Sequence, residues 1–312
     1  MLVGITGASG FIGSALAGRH LDAGHIVRCL TRRPHTIAYP GVRLFEADLE
    51  RPDDTLVRFA DGLDVLYHCA GEVVDVRRMH AVNVEGVRAL LRAAAGRIGR
   101  WVQLSSVGVY GPHQSGVISE DTPVAPRGIY ERTKADADAL VMEAGRLRHV
   151  ASCTVLRPSI VFGPGMPNQS IVQMARMIQR RLFFFIGRSG ASANYVHVSN
   201  VADAMVLCGA AAEAGGQVYN LSDWCTVEDF VGAIADALGC QRPRLRLPEP
   251  PVRQAVRVMN RLAALPLTDS RVDALVNRSR YSIQRIRHDL KFSVAVPIPV
   301  GLARLVAPGA AA

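Results

Sequence analysis

Up to about residue 160, short apolar runs rich in β-branched residues alternate with longer amphipathic stretches. The runs at 2–6, 26–31, 43–46, 65–68, 101–104 and 153–156 have the length and composition of buried strands. Between them, apolar residues recur at helical spacing over 11–23, 55–60, 79–95 and 127–144. This alternation predicts an α/β fold, a Rossmann-type doubly wound parallel sheet covered by helices on both faces. After Gly163-Pro164-Gly165 the pattern loosens. A helix-like stretch at 170–181 leads to an apolar run at 195–198, and 201–211 reads as a helix returning to the main fold. Residues 226–238 read as a helix with Thr226 as N-cap, and prolines at 243, 248, 250 and 251 mark a loop-rich lobe beyond it. The predicted division is a sheet domain over 1–165, rejoined by 195–222, and a smaller C-terminal lobe, mainly 166–312.

Composition narrows the class. With 49% hydrophobic and 20% charged residues, the 312-residue chain is an ordered globular protein, not a disordered one. No apolar run approaches the ~20 residues of a membrane span, and the chain opens on a strand without a leader-like segment. The six cysteines are dispersed, with no C-x-x-C pair and no histidine spacing suited to zinc. A reducing, cytoplasmic location and no metal site are therefore expected.

Charge is unevenly placed. Between Arg242 and Lys291 there are 12 basic and 4 acidic residues, a surplus of 8 within a net charge of +9. These arginines are scattered and lack a nucleic-acid motif with interleaved aromatics, so no nucleic-acid partner is expected. An anionic small ligand such as a nucleotide diphosphate fits the surplus, as does peripheral contact of this basic third with an acidic membrane surface. Of the 36 basic residues only Lys134 and Lys291 are lysines. Lys134 follows Tyr130 by four residues, one helical turn, where a compact ammonium can act on a phenol.

Three motifs carry chemistry. Thr6-Gly7-Ala8-Ser9-Gly10-Phe11-Ile12-Gly13 follows a strand and opens a helix, a glycine-rich turn that suits a pyrophosphate. The next strand ends in Thr31-Arg32-Arg33, where an NAD-selective site usually carries an acidic residue; two guanidiniums favour the 2′-phosphate of NADP over NAD. Leu104-Ser105-Ser106-Val107-Gly108-Val109-Tyr110-Gly111 directly follows another strand. With Tyr130 and Lys134 it supplies a hydroxyl for a carbonyl or alcohol oxygen, a phenol to exchange its proton, and an ammonium beside the phenol.

With these motifs in order, the chain resembles the extended short-chain dehydrogenase/reductases of the NAD(P)-dependent epimerase/dehydratase family. The resemblance continues through Ala47-Asp48-Leu49, Tyr67-His68-Cys69-Ala70-Gly71, Leu156-Arg157-Pro158-Ser159-Ile160-Val161-Phe162-Gly163-Pro164, Tyr195-Val196-His197-Val198 and Tyr219-Asn220-Leu221-Ser222. It implies that the sheet domain binds NAD(P) and the C-terminal lobe binds substrate. Tyr130 is then the acid/base, Ser106 the catalytic hydroxyl, and Lys134 a ligand of the nicotinamide ribose as well. Gly7, Ser9, Gly10, Phe11, Ile12 and Gly13 hold the pyrophosphate, Arg32 and Arg33 the ribose end, and Asp48 and Leu49 the adenine. Cys69, Ala70 and Gly71 line the cofactor, Pro158 and Val161 flank the nicotinamide, and Asn168, Gln169 and Arg188 face the substrate. The family also suggests a homodimer joined through the helices at 79–95 and 127–144.

Two departures shape the functional reading. Family dehydratases carry an Asp-Glu pair after the catalytic hydroxyl, where this chain has Val107 and Gly108, which argues against 4,6-dehydration. Many nucleotide-sugar epimerases place an arginine two residues before the Tyr of Y-x-H-V, where this chain has Ala193, so Arg188 or a C-terminal arginine would have to meet a diphosphate. The leading expectation is hydride transfer at a secondary alcohol or ketone of a nucleotide-linked sugar, by a 4-ketoreductase or 4-epimerase. The alternative is a reductase of the 3β-hydroxysteroid or dihydroflavonol type, suggested by Tyr281-Ser282-Ile283 and the apolar Phe183-Phe184-Phe185. A non-catalytic cofactor-sensing regulator is the third class, disfavoured because Tyr130 and Lys134 are both present.

Overall fold

The alternation of strands and helices builds one seven-stranded parallel sheet with a smaller lobe above its carboxyl edge. The computed structural model describes residues 1–37, 39–113, 115–262 and 268–306. The first part of the chain runs through β1 (Leu2–Thr6), α1 (Phe11–Asp22), β2 (Ile26–Thr31), β3 (Arg43–Glu46), α2 (Thr55–Ala60) and β4 (Val65–His68). It continues with α3 (Val76–His80), α4 (Gly86–Ala94), β5 (Arg100–Leu104), β6 (Ser115–Ile118), α5 (Ile129–Arg146), β7 (Ser152–Pro158) and β8 (Ile160–Phe162). Next come α6 (Ser170–Gln179), β9 (Phe185–Ile186), β10 (Ser192–His197), α7 (Val198–Ala210), β11 (Val218–Leu221), β12 (Asp223–Thr226) and α8 (Val227–Ala237). The last elements are β13 (Arg246–Leu247), α9 (Glu249–Leu262), α10 (Asp269–Val276), β14 (Arg278–Tyr281), α11 (Gln284–Leu290) and α12 (Ile298–Val306).

The main sheet has the order β11-β7-β5-β4-β1-β2-β3, every neighbour parallel. Its direction of growth reverses between β1 and β4, and the carboxyl ends of those strands open the crevice where doubly wound sheets bind ligands. Each sheet face is sealed by its own apolar layer. Leu16 and Ala17 of α1, Val201 and Met205 of α7, and Ile286 of α11 cover one face. Leu56 and Phe59 of α2, Leu90 of α4, and Ala137 and Val141 of α5 cover the other, around Trp101. Strands buried on both faces read as continuous apolar runs, which is why they were visible in the sequence.

The lobe is built on three small sheets. β10 pairs with β8 in parallel and with β12 antiparallel, and β9–β13 and β14–β6 are short parallel pairs. Phe162, Ile171, Phe183, Phe185, Phe230 and Leu302 fill its core. The Thr226 hydroxyl caps α8 by accepting from the Asp229 N–H. The return to the main fold is made by α7 and β11, whereas the apolar run at 195–198 belongs to the lobe-side sheet through β10.

The helix expected over 79–95 differs in detail. It starts at Val76, behind the cap supplied by Asp75, and is interrupted by a π turn at Ala81–Glu85 before α4. The cause is Asn83, buried at that turn, whose amide donates to Thr133 Oγ1 (3.1 Å) and Glu72 O (2.9 Å) while its oxygen accepts from Glu72 N (2.7 Å). Satisfying this buried side chain takes precedence over regular helix. The positions that α4 and α5 turn outward include Arg92, Arg132, Asp136, Glu143 and Arg146, a largely charged surface on which Ile129 and Ala139 are also exposed.

The basic surplus of the last third is also less free than its count suggests. Arg242 pairs with Asp236, Arg246 with Glu228 and Arg285 with Asp121, each an acid from outside the 242–291 segment. Arg253 pairs with Glu249 and Asp273 within it.

α7 lies close on the sheet because Gly209 faces Tyr67: a Cβ there would stand 2.0 Å from the phenol oxygen. Gly209→Ala is expected to cost about 1–3 kcal/mol through overpacking. In α1, Gly18 has nothing within 4 Å of an added Cβ, so Gly18→Ala should gain about 0.5–1 kcal/mol. Chemical denaturation of the two variants measures both; equal midpoints would contradict this packing.

Candidate active site

The crevice begins at the turn after β1. Gly7 has a left-handed backbone (φ +68°), and a Cβ there would meet the Ala70 nitrogen at 2.7 Å. A Cβ on Gly13 would meet the Gly7 carbonyl oxygen at 2.2 Å. These two contacts let α1 start directly against the ends of β1 and β4. Gly10 occupies the N-cap without a side-chain cap, and the first turn of α1 has no acidic residue. Its N–H groups are therefore left for an anion.

A cavity of about 340 Å³ opens from this turn. Gly7, Ser9 and Gly10 line it at one end, Arg32, Arg33, Asp48 and Leu49 at the other, and Cys69, Ala70 and Gly71 along the side. Phe11, Ile12 and Gly13 do not line it. Phe11 packs toward the lobe core and Ile12 into the sheet core, while Gly13 is buried under the Gly7 carbonyl. Thr6, Thr31, Thr36, Ala47, Glu72 and Val82 also line the cavity. Thr36 follows Arg33 in a short 3-10 turn and donates from its hydroxyl to the Arg33 carbonyl (2.7 Å). Neither Arg32 nor Arg33 has a carboxylate within ion-pair distance among the described residues. A glycine cradle at a helix N-terminus with two available guanidiniums beyond it fits a dinucleotide phosphate.

Behind the cradle, the Thr6 hydroxyl pairs with His68 Nδ1 (2.9 Å) and accepts from Ala70 N (3.1 Å). Burial, with Lys134 nearby, pushes the fully buried His68 imidazole down to about 3, so it is neutral. Burial likewise pushes the Cys69 thiol up to about 12, which leaves it an inert wall.

The proton-handling residues converge at the ends of β5 and the start of α5. Ser106 caps the 3-10 turn at Val107–Tyr110, accepting from Gly108 N (3.1 Å), with the Tyr130 phenol near its hydroxyl. Burial and the nearby Asp138 carboxylate raise the Tyr130 phenol, while the neighbouring Ser106 hydroxyl opposes that rise. Lys134 is buried one turn further along α5, and its ammonium donates to the Leu104 carbonyl. Burial lowers the Lys134 ammonium, and Asp138 works against that.

Asp138 was missed from the sequence. Its Oδ2 accepts from Ser105 Oγ (2.8 Å) and Arg157 Nε (3.0 Å). Arg157 continues the network to Tyr110 OH (3.0 Å), which donates to Asn220 Oδ1 (2.8 Å). The available signal was position: Asp138 lies four residues after Lys134, on the helix face that also carries apolar Ala137 and Val141.

The remaining expected residues lie away from the dinucleotide cavity. Pro158 is buried at the end of β7 beside Leu221, and Val161 lies on β8 opposite Val196. Asn168 spends its oxygen on Ser170 N (2.8 Å) at the start of α6, and Gln169 is the N-cap residue there. Arg188 is exposed after β9, without a carboxylate partner among the described residues.

Comparison with known proteins agrees with this architecture. A model of the NAD dependent epimerase/dehydratase family matches residues 3–222. A 3 beta-hydroxysteroid dehydrogenase/Delta 5-->4-isomerase of Mycobacterium tuberculosis is 28% identical, over 92% of this chain and 85% of that protein. Sterol demethylase protein B of Methylococcus capsulatus is 30% identical, over 82% of this chain and 80% of that protein. Among solved structures, the UDP-glucuronic acid 4-epimerase of Bacillus cereus in complex with NAD superposes with a TM-score of 0.75 at 19% identity, covering 97% and 96% of the two chains.

The neutral His68 makes stability depend on pH. Its unfolded value of 6.5 lies above its folded value of about 3, so between these values the unfolded chain binds a proton that the folded chain refuses. This contribution, of order 4–5 kcal/mol, is complete above pH 6.5 and is lost as pH falls toward 3. His68→Gln is expected to lose less stability than the parent between pH 6.5 and 4 in urea titrations. Parallel losses in the two proteins would count against a buried neutral imidazole.

Proposed function

Because the chain belongs to the NAD dependent epimerase/dehydratase family, we propose that it interconverts a secondary alcohol and a ketone on a largely apolar substrate, of hydroxysteroid or related type. It is an NAD(P)-dependent enzyme of the extended short-chain dehydrogenase/reductase type. The observation that carries the substrate reading is Ala193. Where a diphosphate-binding arginine would stand, this small residue is buried on β10 opposite Cys225, within an apolar core. The relatives named for sterol chemistry align over most of their own length and support the same reading.

A bound nicotinamide dinucleotide supplies or accepts the hydride. In the reducing direction the Tyr130 hydroxyl gives its proton to the carbonyl oxygen, and the Ser106 hydroxyl donates a hydrogen bond to that oxygen. In the oxidising direction Tyr130 takes the alcohol proton. Lys134, whose ammonium donates to the Leu104 carbonyl, is proposed to meet the nicotinamide ribose as well. Arg32 and Arg33 support NADP as the cofactor, because two guanidiniums without carboxylate partners among the described residues line one end of the cavity and suit a 2′-phosphate.

A nucleotide-linked sugar is the second reading. Arg188 precedes Ser189, whose carbonyl accepts from Arg278 Nη2 (2.6 Å), so two guanidiniums approach one turn of the lobe and could receive a diphosphate.

Four measurements test these readings. Deuterium from labelled NADPH should appear on the carbinol carbon of a 3-ketosteroid, and Tyr130→Phe should lower kcat by roughly 10²–10⁴-fold. Arg32→Ala with Arg33→Ala should cut the NADPH preference in kcat/KM by about 10–100-fold with little change for NADH. If uridine diphosphate raises the melting midpoint and ketosteroids are not turned over, the nucleotide-sugar reading replaces the apolar one.

A further inference from the structure

One corner of the lobe has a chemistry that hydride transfer does not use. α6 ends in a turn in which Arg181 N–H donates to Ile178 O and Leu182 N–H donates to Met177 O, both at 2.9 Å. This is the pattern of a Schellman turn, which sets the third-last side chain, Met177, beside Leu182. Both are exposed, at 38% and 60%. The chain then enters β9, where Phe185 N–H donates to the Leu245 carbonyl (2.8 Å). That pairing brings Arg244 and Leu245 to the same corner, with Leu245 60% exposed.

Guanidiniums surround these apolar side chains. Arg176, Arg180, Arg181 and Arg244 are exposed, and none of their guanidiniums has a carboxylate or hydrogen-bond partner among the described residues. Their neighbours behave differently: Arg242 and Arg246, on either side of Arg244, are paired with Asp236 and Glu228. Among the described residues, these arginines beside the exposed leucines thus lack acidic partners. Arg181 moreover holds the left-handed position of the turn (φ +58°), which glycine occupies without strain.

We propose that this corner docks on an anionic lipid surface. Met177, Leu182 and Leu245 enter the boundary of the acyl chains, and the four arginines meet headgroup phosphates. Exposed aliphatic side chains distinguish this surface from one for nucleic acid, where stacking and polar groups accompany the arginines. α6 starts at the 168–170 segment and is ten residues, roughly 15 Å, long. The docking surface therefore lies one short helix from the lobe segment expected to face substrate. Docking does not depend on the substrate reading, and either can fail alone.

Flotation of the full chain with vesicles tests it. Binding is expected to phosphatidylcholine vesicles containing about one-third phosphatidylglycerol, to weaken with salt, and to be absent for pure phosphatidylcholine. Arg180→Gln with Arg181→Gln should lower partitioning by about fivefold per arginine. Leu182→Ser with Leu245→Ser should lower it roughly tenfold, with the denaturation midpoint of each variant unchanged. No binding to the anionic vesicles, equal binding by the variants, or loss only in the arginine variant alongside equal binding to duplex DNA would overturn the proposal.

Discussion

Asp138 and Arg157 bury opposite charges in the seam between α5 and β7, and the placement of the proton-handling residues depends on that pair. Burying two ions is costly, and removing either partner alone from such a pair costs about 3–5 kcal/mol. Here the cost is offset by a connected set of partners: Ser105 on β5's exit, Arg157 on β7, then Tyr110 and Asn220. Three strand ends and one helix are thereby locked in a single arrangement. α5 carries Tyr130 and Lys134 on the turns just before Asp138, so fixing Asp138 fixes the depth of both. Burial and the same carboxylate together raise the Tyr130 phenol, so the position of α5 also bears on the phenol's acidity.

That arrangement sits where the sheet changes direction. The cradle at Gly7 touches Ala70, at the end of β4, and Ser106 leaves the end of the next strand, β5. Cofactor and reacting oxygen are consequently approached from adjacent strand ends rather than from distant loops. Strands hydrogen-bonded to their neighbours hold such ends to fractions of an ångström, a tolerance that hydride and proton transfer require.

Much of this could be read from the chain. Five of the seven main strands appear as apolar runs because both faces of the sheet are covered there, whereas β3 is an exposed edge strand bounded by Arg43 and Glu46; the glycine turn, Ser106, Tyr130 and Lys134 stand out by spacing. What stayed hidden depends on contacts between distant segments. The π turn at Ala81–Glu85 follows from Asn83 meeting Glu72 and Thr133, a partner fifty residues away. Asp138 looks like a solvated residue of a helix until Arg157 is brought to it. The direct Tyr130–Lys134 contact suggested by the four-residue spacing is also absent: the ammonium turns inward to Leu104. Short lobe strands such as β9 and β13, two residues each, have no periodicity to read.

The loop after β4 bears on what kind of molecule reaches Tyr130. Glu72 Oε1 accepts from the N–H groups of Val73 (3.0 Å), Val74 (2.9 Å) and Asp75 (3.1 Å), so its carboxylate is consumed by the loop's own backbone. Arg78 satisfies the other oxygen of that carboxylate at 3.5 Å. The two valines are left 62% and 81% exposed, on a loop tied to the catalytic helix through Asn83 and Thr133. A loop meant to grip hydroxyl-rich sugar would present donors and acceptors, whereas this one uses them internally and presents methyl groups. Those exposed methyl groups gain from contact with an apolar molecule, which is in keeping with the proposed substrate class, while Ala193 stays buried in the lobe core.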